Sequence, residues 1–223
     1  MRSHILEVDS IRKHFDYKLV ISDVYLKCVS NDIIALLGRN GSGKSTLLRI
    51  IFGIVSAENK YIRIDGIVKN KTASLLDEIS YLHQESFIPS HLSVKKAIFL
   101  SISFEKRICF LEDSLIQSIL SKKISYLSSG ELRYLEIKLV LFNSSKFVLL
   151  DEPYNGLSPI MIEKVNQLIK DNSLKKGIVI TDHNYENVIR ISTQLLLMKD
   201  GKIHAIKDKN ELVEKGYLSL RMT

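Results

Sequence analysis

The chain has 223 residues, 45% of them hydrophobic and 26% charged, with a formal net charge of +7. That suits a soluble α/β domain with a real core, and no run approaches the roughly 18 uncharged apolar residues that a membrane span requires. The start, Met1 to Glu7, lacks the apolar core of a signal peptide, and the only cysteines, Cys28 and Cys109, fit no metal or redox motif, so a cytoplasmic setting is expected. The lysines come as scattered doublets interleaved with acids (Lys95-Lys96, Lys122-Lys123, Lys175-Lys176), which reads as solvated surface with a mild pull toward anionic lipid, and no nucleic-acid partner is expected.

In chain order, Ile5, Val8 and Ile11 are spaced by polar residues, and Val24, Leu26 and Cys28 alternate within Ser22 to Val29; both segments predict strands. Ile33-Ile34-Ala35-Leu36-Leu37 is a strand buried on both faces. A glycine-rich turn follows, then a helix carrying Leu47, Leu48, Ile50, Ile51 and Phe52 and stopping at Gly53. Tyr61 to Val68 around Asp65-Gly66 predicts a hairpin, and Ile79 to Leu82 a short strand. Between Pro89 and Tyr126 the pattern turns helical, with Ser93 capping a helix through Leu100. Leu111, Leu115, Ile116, Ile119 and Leu120 then fall on one helical stripe. Beyond Leu127–Glu131 a helix presents Leu132, Leu135, Leu139 and Phe142 on one face. Phe147 to Leu150 and Gly177 to Thr181 are fully apolar strands flanking a helix from about Pro159 to Ile169, and Lys199-Asp200-Gly201-Lys202 turns a terminal hairpin. The expected architecture is a mostly parallel core sheet, an antiparallel N-terminal β layer and a helical subdomain.

Gly38-Arg39-Asn40-Gly41-Ser42-Gly43-Lys44-Ser45 fits the phosphate-cradling pattern G-x-x-x-x-G-K-[ST] in its proper strand–loop–helix context. Glycines let backbone N–H groups turn inward around phosphate oxygens, and the helix N-terminus adds partial positive charge. Lys44 then reaches the terminal phosphates and the Ser45 hydroxyl holds Mg²⁺; Thr46 completes the nucleotide-binding set. The strand Phe147 to Leu150 ends abruptly in Asp151-Glu152, and packing alone does not explain two carboxylates there. Asp151 is the metal partner of Ser45, and Glu152 is placed to orient or deprotonate an attacking water. Ser128, Ser129 and Gly130 open a helix and read either as an anion site or as an ordinary cap, the cap being favoured on physical grounds. Gln84 offers an amide to Mg²⁺ or water, and His183 follows a strand end where ligands gather, although a lone histidine there is often structural.

Together these segments resemble the ATP-binding subunit of ABC transporters, over nearly the whole chain and in the family's order. Gly38 to Ser45 matches Walker A, Tyr81-Leu82-His83-Gln84 the Q-loop, Leu127–Glu131 the signature and Phe147 to Glu152 Walker B. Asn155-Gly156-Leu157-Ser158 lies at the D-loop and Thr181-Asp182-His183 at the switch histidine. The resemblance implies a P-loop NTPase fold of ABC ATPase type over residues 1–223, its helical subdomain (about 89–142) inserted in a RecA-like core. It also implies ATP and Mg²⁺ as cofactors, and hydrolysis to ADP and phosphate with Glu152, His183 and Gln84 as catalytic groups. Two copies would pair head to tail, with Ser128 and the Gly130 backbone touching the γ-phosphate in trans and His183 steadying it. A transmembrane permease on a separate chain would dock beside Gln84 and the helical insert, placing the subunit at the inner face of the membrane. Phe15 sits where the family stacks an aromatic on adenine; a core phenylalanine is its other reading. Thr181-Asp182-His183-Asn184 and a tail near Tyr217-Leu218-Ser219 are similar to ATPases for lipopolysaccharide or branched amino acid transport. Ser129 replaces a usual glycine, Ser158 a usual aspartate and Tyr134 a common arginine; none touches the bond-making residues, so activity is expected. A soluble ABC-type ATPase of DNA repair, translation or cofactor assembly is the other class, but the chain has neither the long heptad run nor the second such domain of those relatives.

Overall fold

Leu6 and Val8 alternate inward along β1 (Ile5–Phe15), but Ile11 is out of phase with them; a bulge at Ser10, φ 54°, returns Ile11 to the buried face. Asp23, φ 55°, does the same in β2 (Lys18–Val29), keeping both Ile21 and Val24 inside. These strands join β4 (Asn59–Ile64) and β5 (Ile67–Val68) in an antiparallel sheet of order β2-β1-β4-β5. Asp65 and Gly66, at φ 52° and 81°, make the left-handed two-residue turn of the hairpin. The computed structural model describes residues 3–69 and 71–218, so the Ser219 end of the tail lies outside the described residues.

The second sheet comprises β3 (Ile33–Leu37), β6 (Ile79–Leu82), β7 (Phe147–Asp151), β8 (Gly177–Thr181), β9 (Gln194–Lys199) and β10 (Lys202–Ile206), in the order β10-β9-β3-β8-β7-β6. All its pairings are parallel except the β9–β10 hairpin. Because β3 is buried on both faces, its alternate residues serve two cores. Ile34 and Leu36 pack with the antiparallel layer and α1 (Lys44–Phe52), whereas Ile33, Ala35 and Leu37 pack toward the helices on the other face. Those helices are α3 (Val94–Ser101), α4 (Phe104–Leu111), α5 (Ser114–Ile119), α6 (Ser129–Phe142) and α7 (Pro159–Ser173). The short α2 (Ala73–Leu76), α8 (Tyr185–Ile191) and α9 (Lys209–Glu214) complete the set. Among the described residues no helix is long and apolar enough to cross a membrane.

The structure differs from the periodicity in particular places. The stripe from Leu111 to Leu120 is not one helix. α4 ends at Leu111, and Asp113, in extended geometry, caps α5 by accepting from the N–H groups of Leu115 and Ile116. α7 runs on to Ser173, past Ile169. α6 is buried on nearly every side and not along one face, since Arg133, Glu136 and Lys138 are as enclosed as its leucines.

Asp113 explains Tyr134 as well as the helix break. Its Oδ2 accepts from the Tyr134 hydroxyl at 2.6 Å and from Lys138 Nζ at 2.8 Å, while Lys138 also donates to Phe110 O at 2.9 Å. Burial raises the Asp113 carboxyl, but the Lys138 and Tyr134 bonds outweigh it and hold the group below the ordinary aspartate range. A lowered carboxylate contributes stability above its unfolded value, and that contribution disappears as acid protonates it in the fold. Asp113→Asn keeps the cap but leaves the Lys138 ammonium buried without a counter-charge, so it should cost about 3 kcal/mol at pH 7. Urea unfolding at neutral pH and below about pH 4 checks this: the gap from wild type should close in acid, and equal midpoints at pH 7 would remove the ion pair as a support.

Candidate active site

β3 delivers the chain to the glycine-rich turn, and α1 carries it away. Gly38 passes so close to the neighbouring strand that a Cβ would lie 2.6 Å from Met198 O. Gly43 holds φ 102° at the start of α1, where a Cβ would also meet the Met198 methyl at 2.9 Å. No side chain caps this helix, so its first N–H groups face the turn uncommitted. Lys44 Nζ donates to Gly38 O at 2.7 Å and Arg39 O at 3.2 Å. Burial lowers its pKa, and the charges of Glu152 and Asp151 oppose that shift.

Asp151 ends β7 with no solvent exposure. Its Oδ1 accepts from Ser45 Oγ at 2.9 Å and Thr181 Oγ1 at 2.8 Å, and its Oδ2 from the Tyr81 hydroxyl at 3.0 Å. Burial and the Asp151 charge push the Tyr81 phenol up, which keeps it a donor. Gln84 Nε2 lies 3.2 Å from Ser45 Oγ. Glu152 adopts φ 50°, its N–H donates to Thr181 O at 2.8 Å, and its Oε1 is 2.8 Å from His183 Nε2.

A cleft of about 420 Å³ gathers Phe15, Asn40, Gly41, Gly43, Lys44, Ser45, Thr46, Gln84, Glu152 and His183. Phe15 is 47% exposed at this cleft, under Lys13 Nζ, which decides against a core phenylalanine. Arg39 and Ser42 line the adjoining cavity on the other side of the glycine turn, where Arg39 Nη2 donates to Gly216 O at 2.9 Å. Ser128, Ser129 and Gly130 are not in the cleft. Ser128 forms a capping box with Glu131, as the cap reading expected, and Ser129 lines a smaller groove with Gln84, Asn155 and Gly156. Ser158 caps α7 through the Met161 N–H.

The oxygen and amide groups around Ser45 suit a hard cation completed by phosphate and water. Among the described residues no three His, Cys, Asp or Glu side chains converge as an all-protein metal site, which that chemistry does not need. Sequence reasoning missed Tyr81, Thr181 and Arg133. The signals available were the Ser80 and Tyr81 hydroxyls in one short strand, the Thr181 hydroxyl in another, and the Arg133–Glu136 spacing inside an apolar helix. Arg133 Nη1 donates to His83 O at 2.7 Å, and Nη2 to Asp151 O and Glu152 O at 2.9 and 2.8 Å.

The family model for ABC transporters matches residues 21–155. The chain is 32% identical to the lipopolysaccharide export system ATP-binding protein LptB of Haemophilus influenzae, over 90% of this chain and 89% of that protein. It is 27% identical to the galactose/methyl galactoside import ATP-binding protein MglA of Fusobacterium nucleatum, over 97% of this chain and 47% of that one. A solved ATP binding subunit of an ABC transporter superposes with a TM-score of 0.84 over 96% of this chain and 95% of its own, a likeness of fold at 19% identity. With a nucleotide cleft of this construction and matches of this extent, the chain belongs to the ABC transporter family, as an ATP-binding and ATP-hydrolysing subunit.

Proposed function

We propose that the subunit works with Mg²⁺ at the cytoplasmic face of the membrane, closing head to tail with a second copy of itself around two ATP molecules to drive a permease on a separate chain. One observation carries the chemistry: Ser45 Oγ and Asp151 Oδ1 meet at 2.9 Å with the Gln84 amide beside them, next to an uncapped helix start. Residues 1–223 are read as one ATP-binding domain with its helical subdomain at about 89–142.

Backbone N–H groups of the Gly38 to Thr46 segment bind the phosphates, and Lys44 exchanges the carbonyls of its own loop for phosphate oxygens. Ser45, Asp151 and Gln84 hold Mg²⁺, which when bound neutralises phosphate charge. Glu152 accepts a proton from water as the water oxygen bonds the γ-phosphorus and the bond to the ADP oxygen breaks. His183, here paired with Glu152 and half exposed, must turn from that carboxylate to steady the γ-phosphate. Phe15 at the cleft supports adenine stacking. The position of Ser128 to Gly130 outside the cleft supports their use by a partner copy, where uncommitted donors would complete the charge stabilisation. Exposed Phe87, Leu100, Phe104 and Ile108, near Gln84 and on the helical insert, support permease docking there. Relatives named for lipopolysaccharide export and for galactose import share this ATPase framework, so the choice of cargo is assigned to the permease.

Glu152→Gln should retain ATP affinity, lower turnover by at least about 10²-fold and accumulate an ATP-bound dimer on gel filtration; turnover near wild type would remove Glu152 from the reaction. Lys44→Ala should abolish ATP binding measurable at micromolar nucleotide, and unchanged affinity would refute the phosphate-loop assignment.

A further inference from the structure

Arg133 is 6% exposed and lies one turn into α6, the helix that opens at the signature segment. Its guanidinium spans groups from distant parts of the chain. Nη1 donates to His83 O, the carbonyl just before Gln84, and Nη2 donates to both Asp151 O and Glu152 O. One turn on, Glu136, 2% exposed, lies 3.5 Å from Arg133 Nη1 and accepts from Phe87 N at 3.2 Å. The pair therefore holds both ends of the short loop that carries Gln84, and Arg133 alone joins that loop to the peptide of Glu152.

Glu152 needs such a tie. Its backbone is left-handed at φ 50°, a conformation that costs a non-glycine residue on the order of 1–3 kcal/mol and persists only when surrounding bonds determine it. The Thr181 carbonyl fixes the Glu152 N–H, and Arg133 fixes the carbonyls on either side of the Glu152 α-carbon. A planar, always-charged fork holds its donors in fixed directions toward all three carbonyls, whereas an ammonium on a flexible stem has no such pre-organised geometry.

We propose that Arg133 is a positioning residue for hydrolysis: it sets the direction of the Glu152 carboxylate and couples that direction to the Gln84 loop and to α6. It touches no reacting atom. This rests on the reading of Glu152 as the group that acts on water. A displacement of the Gln84 loop or of α6 then moves the Glu152 peptide directly, through two hydrogen bonds on one rigid group.

The test is single-turnover phosphate release and nucleotide affinity in the purified full chain. Arg133→Gln should lower the hydrolysis rate by about 10²-fold, as expected for a misaimed catalytic group, with ATP affinity within about twofold of wild type. Arg133→Lys should recover part of that rate, because it restores one or two of the bonds. The isosteric Glu136→Gln, which frees the guanidinium without removing it, should give a smaller loss in rate and serves where Arg133→Gln does not fold. On a Glu152→Gln background Arg133→Lys should cost nothing more. An unchanged rate in Arg133→Gln or in Glu136→Gln overturns the proposal, as does a loss of rate and affinity together, or a full additional loss on the Glu152→Gln background. If Glu152→Gln alone leaves the rate intact, the reading of Glu152 fails; a rate loss from Arg133→Gln that persists then shows Arg133 acting through another group, which also overturns it.

Discussion

Asp151 is a carboxylate shielded from solvent whose oxygens receive three hydroxyls, those of Ser45, Thr181 and Tyr81. An unpartnered charge in that place would cost several kcal/mol, so the donors are conditions of the fold and not ornaments of the site. They come from α1, β8 and β6 and fix how the glycine-rich turn sits on three parallel strands. The same oxygen that satisfies Ser45 in this state is the one suited to a cation.

Around that junction the departures from the family pattern have local explanations. Tyr134 stands where arginine is common, and its hydroxyl joins Lys138 on the Asp113 carboxylate, closing the break between α4 and α5. Ser158, in place of aspartate, caps α7. Ser129 adds a hydroxymethyl group next to Gly156, in the groove outside the nucleotide cleft. Each substituted side chain is accommodated within its own chain, and none enters the cluster of Lys44, Ser45, Asp151 and Glu152.

Much of this was legible in the residues because the forces concerned are local. Ile33 to Leu37 and Phe147 to Leu150 are short apolar runs with the pattern of strands buried on both faces, and Gly38 to Ser45 states its own backbone demands. What escaped was decided by distant partners. The bulges at Ser10 and Asp23 are the exception: they rephase Ile11 and Val24, which pair with each other across the neighbouring strands β1 and β2. The break at Asp113 depends on Lys138 and Tyr134, two elements later. Arg133 is distant in sequence from His83, Asp151 and Glu152, and only the fold brings them to its fork. Phe15 has two readings in the sequence, and its exposure at the cleft separates them.

The strand order carries a consequence for biosynthesis. β3, the strand feeding the glycine turn, is flanked in the sheet by β8 and β9; Ile33 pairs with Ile178 and Ile34 with Gln194. The antiparallel layer finds its partners within the first third of the chain, but β3 waits for segments made near the end of translation. Pairings of such long range are slow and leave apolar edges open in the meantime. The hydrophobic run before the glycine turn therefore stays unpaired while most of the chain emerges from the ribosome, and nucleotide-binding competence is among the last properties a nascent copy acquires.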